Sequence, residues 1–288
     1  MDYPKVNKTL LVKILNINRS TLYVSRPKDD LDKTLGLQII KLLDDNPFYG
    51  YRRVAIYFNW SNNKARRLMR KYRIFPRYRK PKFLIKKDDL NKAPSVYQNY
   101  LKVVCKETGL IKPNQAWSTD FTYLKYHCSF LYLATVIDTY TKEIVGYSIS
   151  QTHTLELVQK ALTSAVTKYQ APEIHHSDQG SEYQSYDYQV LLKQYNIQIS
   201  MSKKASPWEN GYQESFYGKF KDELGNLNQY QTQIEAVEAI ILQIYYYNNK
   251  RIHTTIRDIP VLFRQKELAK IQNQNQSSVQ DFRIESSV

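Results

Sequence analysis

The chain has 288 residues, of which 42% are hydrophobic, and its formal net charge is +15. This length and apolar content allow one large globular domain with a buried core and a smaller module beside it. Two cysteines without metal or disulfide spacing argue against a disulfide scaffold, and no apolar stretch approaches the length of a membrane span. We therefore expect a cytoplasmic protein with no membrane partner.

The positive charge is concentrated in the first part of the chain. Residues 1–112 contain 26 Lys and Arg against 9 Asp and Glu, a net +17, whereas residues 113–288 contain 16 against 18, a net −2. A basic surface kept only for solubility would not be distributed so unevenly. The pattern predicts a region that binds a polyanion, namely nucleic acid, joined to a near-neutral core.

The pattern divides the basic region into three parts. Residues 1–30 are predicted to form a short helical segment with two short helices, the second of which begins at Ser20. Residues 31–80 predict a small all-α module of the helix-turn-helix type. Its first helix carries apolar residues at helical spacing, namely Leu31, Leu35, Ile39 and Leu42. Residues 81–112, which are basic and interrupted by prolines, predict a linker.

The last helix of this module is strongly basic. Residues 48–82 contain 12 basic residues and no acidic one. Such a helix suits the major groove or the phosphate backbone of DNA, although a solvated basic helix without a partner is the alternative. The predicted DNA-contacting residues of the module are Arg52, Arg53, Lys64, Arg66, Arg67, Arg70 and Lys71.

From Pro113 the pattern changes to strands. Three β-type runs form a meander, and they are followed by a helix, a fourth strand ending in His176-Ser177-Asp178, a helix, a fifth strand and another helix. The order βββαβαβα predicts an α/β fold, the ribonuclease-H-like core with a mixed five-stranded sheet. We assign residues 113–271 to this core and its C-terminal helices, and residues 272–288 to a polar tail.

Three carboxylates lie on separate elements of this core. Asp120 is inside the first strand, and Asp178 ends the fourth. Glu214 follows after 35 intervening residues, on a helix that Ser206, Pro207 and Glu209 are expected to begin. Buried carboxylates repel one another and lose hydration, so a divalent cation is needed to justify placing them together. They are therefore predicted to hold two Mg²⁺ ions, which Mn²⁺ could replace, in an enzyme that transfers phosphoryl groups of DNA.

Three neighbouring residues are assigned to other roles. Lys221 lies about two helical turns after Glu214 on nearly the same face, and is expected to contact a DNA phosphate. Asp138, at the end of the second strand, is either a fourth metal ligand or a hydrogen-bonding residue. Glu223 is expected on the solvated side of the helix that carries Glu214.

Several motifs together resemble a known family. They are YGYRR, ARRLMRKYRI, WSTDFTY, VIDTY, HSDQGSEY, ENGYQESFYGKFKDE and YYYNNKRIHTTI, within residues 45–265. The chain is similar to the second-frame (OrfB) transposases of the insertion sequence three family, which have an integrase core. The resemblance implies that Asp120, Asp178 and Glu214 form the catalytic triad, and that Lys221 is the family's basic residue after the glutamate.

The resemblance also implies an activity and partners. The activity would be Mg²⁺-dependent cleavage and strand transfer of DNA, with the element's terminal inverted repeats and a target DNA as substrates. The partners would be further copies of the chain and an upstream first-frame protein joined by ribosomal frameshifting, in the bacterial nucleoid. Two other functions stay open at this point: a catalytically silent DNA-binding regulator of transposition, and a ribonuclease-H-type nuclease that only hydrolyses.

Overall fold

A computed structural model describes residues 8–16, 18, 27–77, 97–203 and 211–285. The chain divides into two compact units, Met1–Arg77 and Tyr78–Val288. The predicted second helix at Ser20, most of the predicted linker and the predicted helix start at Ser206 lie outside the described residues. In the part of the chain that the structure describes, no helix combines the length and apolarity that crossing a bilayer requires.

The first unit is helical. Its helices are α1 (Lys8–Leu15), α2 (Pro27–Asp45), α3 (Tyr51–Tyr57) and α4 (Asn62–Lys71). The Ser61 hydroxyl caps α4 by accepting a hydrogen bond from the Lys64 amide, and α4 buries Ala65, Leu68 and Met69. The predicted series of two helices and a basic third helix is therefore present in this unit.

The predicted apolar face of α2 is only partly right. Ile39 and Leu42 are buried, but Leu31 is 58% exposed and its neighbour Asp32 is buried instead. The reason is tertiary, because Asp32 forms ion pairs with α4. Gly36 lies on the same face and leaves room for the Tyr72 ring, which a Cβ atom at that position would approach to 2.8 Å.

The second unit contains the predicted five-stranded sheet. Its strands are β1 (Ala116–Tyr126), β2 (Ser129–Asp138), β3 (Ile144–Ser150), β4 (Ile174–Ser177) and β5 (Gln198–Met201). The sheet order is β3-β2-β1-β4-β5. The meander β1-β2-β3 is antiparallel, whereas β4 lies parallel to both β1 and β5. The sheet is therefore mixed, and the α/β, ribonuclease-H-like prediction is confirmed.

Helices cover both faces of the sheet. Their bounds are α5 (Tyr100–Glu107), α6 (Leu155–Lys168), α7 (Ser181–Gln184), α8 (Tyr186–Gln194), α9 (Gly211–Leu224), α10 (Gln233–Asn249) and α11 (Pro260–Glu285). Helices α6 and α8 pack against one face around Trp117, and α9 and α10 pack against the other around Leu133 and Ile144. Gly146 of β3 allows α6 to approach closely, because a Cβ there would lie 2.6 Å from the Cβ of Ala165.

Two predictions for this unit are corrected. Within the predicted basic linker, α5 is a helix capped by the Asn99 side chain, and its Leu101 packs against Ala116 and Ile174. The residues from 272 onward were predicted to be a polar tail, but α11 continues to Glu285. In both segments a polar or basic composition concealed a helix.

Candidate active site at the open edge of the first strand

One predicted catalytic residue lies in β1, and another directly follows β4, the parallel strand beside it. Ser118 of β1 pairs with His176 of β4, and Asp120 and Asp178 each follow two residues later along the same direction. Their side chains therefore leave adjacent strands at the same level of the sheet. Backbone amides fix both carboxylates: Phe121 N donates to Asp120 Oδ1 at 2.8 Å, and Gly180 N donates to Asp178 Oδ1 at 2.9 Å.

The electrostatics of this pair disfavour two negative charges. Burial, the charge of Asp178 and, to a smaller degree, the charge of Glu214 together raise the pKa of Asp120 to about 7, although the hydrogen bond from the Phe121 amide and the charge of Lys221 oppose the shift. Burial also raises the pKa of Asp178, assisted by the charge of Glu182. The pKa of Glu214 is raised by burial as well. A cation between the aspartates would offset these costs.

Glu214 lies in the first turn of α9, and its side chain is exposed. Two buried polar residues of α9 bind the helix to β1. Gln213 Nε2 donates to the Ser118 carbonyl oxygen at 2.6 Å, and the Tyr217 hydroxyl donates to the Asp120 carbonyl oxygen at 2.6 Å. The backbone of the helix is therefore fixed to the strand that carries Asp120, immediately before and one turn after Glu214.

Gln213 and Tyr217 were missed by the sequence reasoning. Both are buried, at 0% and 6% exposure, although their side chains are polar. The signal that could have found them is their spacing of four residues, which places them on one face of α9 on either side of Glu214. Thr135 of β2 also joins them, since its hydroxyl lies 2.9 Å from the Tyr217 hydroxyl.

The donor chemistry of the three carboxylates suits Mg²⁺, which prefers hard oxygen ligands. Among the residues that the structure describes, no group of three or more His, Cys, Asp or Glu side chains is gathered closely enough to hold a metal ion. The structure brings Asp120 and Asp178 together and places Glu214 within electrostatic range of Asp120. The residues that lead into α9, 204–210, are outside the described ranges.

The far end of α9 is also anchored. Glu223 forms an ion pair with Arg251 at 2.7 Å, with side-chain exposures of 7% and 2%, so its expected position on the solvated side is wrong. Asp138 is fully buried and accepts hydrogen bonds from the backbone amides of Asn114 and Tyr140 and from the Arg264 side chain. The structure supports the hydrogen-bonding role for Asp138.

Lys221 lies one turn before the end of α9 and points toward β1. Its Nζ is 4.7 Å from the centroid of the Tyr123 ring, and its charge lowers the pKa of Asp120. The predicted phosphate-contacting lysine is therefore close to the aspartate pair.

The predicted DNA-contacting residues of the first unit fall into two groups. Arg67 forms a bidentate pair with Asp32 at 2.6 and 2.8 Å, and Lys71 bridges Asp29 and Asp32 at 2.7 and 2.8 Å. The charges of Arg67 and Lys71 are thus compensated within the unit. The members of the other group lie beside aromatic rings or carbonyl groups, or are exposed, namely Arg52, Arg53, Lys64, Arg66 and Arg70.

Asp120→Asn should stabilise the metal-free protein at pH 8 by about 2 kcal/mol. The folded-state pKa of Asp120, about 7, lies above its ordinary value of 3.8, so the folded protein binds this proton more tightly than the unfolded chain does. Wild-type stability therefore falls as the pH rises from about 4 to 7, and the asparagine removes this loss. Urea unfolding at several pH values, in EDTA, measures the difference.

The control for this substitution is Asp187→Asn, because Asp187 is exposed on α8. It should change the free energy of unfolding by less than about 0.5 kcal/mol at every pH. If Asp120→Asn were no more stable than wild type at pH 8, the raised pKa of Asp120 would be wrong.

Comparisons with known proteins match most of this chain. Residues 111–207 match a family model described as an integrase core domain, and residues 195–260 match a second model with the same description. The InsK protein of insertion sequence element IS150 from Escherichia coli K12 is 30% identical over 267 residues, which cover 88% of this chain and 92% of InsK.

Other matches cover less of each protein. The IS600 31 kDa protein of Shigella sonnei and the IS904 transposase of Lactococcus lactis are each 40% identical over 54% of this chain, and the chain spans only 58% and 62% of their lengths. The integrase catalytic core domain of HTLV-2, solved in complex with magnesium, is 20% identical with a TM-score of 0.45, and covers 54% of this chain and 98% of that chain. The chain belongs to the insertion sequence three family of transposases, whose members carry an integrase core domain.

Proposed function

We propose that this chain is a Mg²⁺-dependent DNA transposase whose catalytic residues are Asp120, Asp178 and Glu214. In the first reaction, water attacks a phosphodiester at the end of the element and releases a 3′-hydroxyl. In the second, that hydroxyl attacks another phosphodiester, so that one P–O bond forms and one breaks without an external energy source. The substrates are the terminal inverted repeats and a target DNA.

The observation that carries this proposal is the placement of Asp120 in β1 and of Asp178 directly after the adjacent parallel strand β4, with the helix of Glu214 bonded to the backbone of β1. These carboxylates are the residues that would hold Mg²⁺, or Mn²⁺ in its place. When bound, the metal supplies neutralisation of charge on the attacked phosphate and activation of the nucleophile. The protein supplies the oxygen ligands and keeps them in fixed relative positions.

The remaining basic residues have supporting roles in the proposal. Lys221 contacts a phosphate near the scissile bond, and the residues of the first unit hold the flanking DNA. Arg52, Arg53, Lys64, Arg66 and Arg70 are the residues expected to contact DNA directly, because Arg67 and Lys71 are already paired with carboxylates of α2. We further propose that the active form contains several copies of the chain, in some cases fused to an upstream first-frame protein, and acts in the cytoplasm on nucleoid DNA.

The proposal is tested with purified protein and labelled DNA that carries the element's inverted repeats, in Mg²⁺, Mn²⁺ or EDTA. We expect nicked and end-joined products with either metal and none with EDTA. Cleaved products without joined ones would identify a hydrolytic nuclease instead. DNA binding without cleavage, also after fusion to the upstream protein, would identify a silent regulator.

A further inference from the structure

A groove lies along β1 beyond Asp120, between this strand and the end of α9. Strand β4 pairs with β1 only over Ala116–Ser118, so within the described residues the rest of this edge of β1 faces no other strand. A groove of about 250 Å³ follows this edge. Its walls include Tyr123 and Lys125 from β1, and Lys221 and Leu224 from α9.

The groove combines an exposed aromatic ring with two lysines. The Tyr123 side chain is 60% exposed, and it meets Phe130, itself 43% exposed, edge to face with 5.6 Å between ring centroids. Lys221 Nζ lies 4.7 Å from the Tyr123 centroid, and Lys125 is exposed. An exposed tyrosine supported by a second ring is a rigid, flat surface, and every nucleic-acid base can stack on such a surface.

The position and charge of the groove favour one occupant. Tyr123, on the wall of the groove, lies three residues after Asp120 on β1, so the groove lies along the same strand as the proposed active site. Two lysines on its walls attract phosphates, and a stacking ring requires a base that is not enclosed in a duplex. Both conditions are met by a DNA strand whose bases are unpaired next to the scissile phosphate.

We propose that this groove binds the unpaired nucleotide next to the scissile phosphate, with its base stacked on Tyr123 and its phosphates held by Lys125 and Lys221. This inference rests on the proposed transposase function and adds a substrate requirement, namely that the DNA end is locally melted. Any of the four bases can stack on a tyrosine ring. The groove therefore recognises that the strands are separated and does not distinguish one base from another.

The test uses the full chain and DNA ends that carry 2-aminopurine at the nucleotide beside the scissile phosphate. Stacking on Tyr123 should quench its fluorescence on binding. Tyr123→Ala should abolish the quenching and weaken binding of pre-melted ends about tenfold, whereas Tyr123→Phe, which keeps the ring, should retain both within about threefold. The matched control is Tyr186→Ala, since Tyr186 of α8 is 78% exposed and lies outside the groove.

The outcomes separate this inference from the proposed function. Quenching and affinity that are unchanged in Tyr123→Ala would overturn the groove assignment, whether or not the wild type cuts DNA. Loss of quenching in Tyr123→Ala with wild-type quenching in Tyr123→Phe and Tyr186→Ala would support it. A wild type that quenches but never cleaves or joins would contradict the transposase proposal and leave the groove assignment standing.

Discussion

Glu214→Gln should lower the rates of strand cleavage and strand transfer by about 10³-fold and leave DNA binding within about twofold of wild type. The amide has nearly the same shape as the carboxylate, so α9 keeps its bonds to β1 through Gln213 and Tyr217. The negative charge is lost, however, so residue 214 would bind a metal ion more weakly. Metal-assisted neutralisation of the transition state is worth several kcal/mol, and much of it would be lost. Quantified nicked and joined products in Mg²⁺, with band shifts on the same DNA, provide the measurement.

Glu238→Gln is the matched control, because Glu238 is exposed on α10. Glu238→Gln replaces a carboxylate by an amide on the same face of the sheet as Glu214, and it should leave the rates of strand cleavage and strand transfer unaltered. Strand transfer by Glu214→Gln at more than about a tenth of the wild-type rate would remove Glu214 from the catalytic set. Equal losses of DNA binding and activity would instead assign Glu214 to DNA contact.

Arg264→Met should destabilise the second unit by about 3–5 kcal/mol. Arg264 is 4% exposed and ties α11 to three other segments of the unit. Its guanidinium forms ion pairs with Glu143 and with Asp138, the latter at 2.6 Å, and donates to Asn114 Oδ1 at 2.8 Å. Methionine fills a similar volume, but both carboxylates stay buried without this guanidinium. Removing one partner of a buried ion pair is strongly destabilising because the remaining charge is no longer compensated.

The measurement for Arg264→Met is urea unfolding in a background with Trp60→Phe and Trp208→Phe, so that the fluorescence followed is that of Trp117, which is fully buried in the core. Lys266→Met on the same helix is the control, since Lys266 pairs with Asp258 at the surface with 63% side-chain exposure, and should cost less than about 1 kcal/mol. Adding Asp138→Asn and Glu143→Gln to Arg264→Met should restore part of the loss. A cost below 1 kcal/mol for Arg264→Met alone would mean that the network does not hold α11 in place.

The parts of the structure that depend on local pattern were predictable from sequence. The strands of the meander and the helix of Leu157 to Ala165 follow from alternation and helical spacing of apolar residues. Asp120, Asp178 and Glu214 were identified together because three carboxylates on separate elements of one predicted sheet need a shared cation, and the family resemblance implies the same three residues.

The parts that depend on tertiary partners were not predictable in this way. Glu223 was placed in solvent because nothing within α9 distinguishes it from Asp222, and its partner Arg251 lies beyond α10. Asp32 is buried in a position where periodicity alone favours Leu31. Helix α5 was hidden because its apolar residues, Leu101 and Val104, are surrounded by lysines, and its core-facing role appears only when β1 and β4 are beside it.

The order in which the sheet is connected has a consequence for protein synthesis. Strands β1 and β2 pair as a hairpin and can form as soon as they leave the ribosome, but β4 reaches β1 only after α6 has been made. Helix α9, with Glu214, follows later and packs with α10 through Phe216 and Tyr247. A nascent or truncated chain therefore has its basic first unit long before it has a complete set of carboxylates. If the first unit binds DNA ends as proposed, fragments that stop before α9 would occupy those ends without cutting them, and so would inhibit the full-length protein.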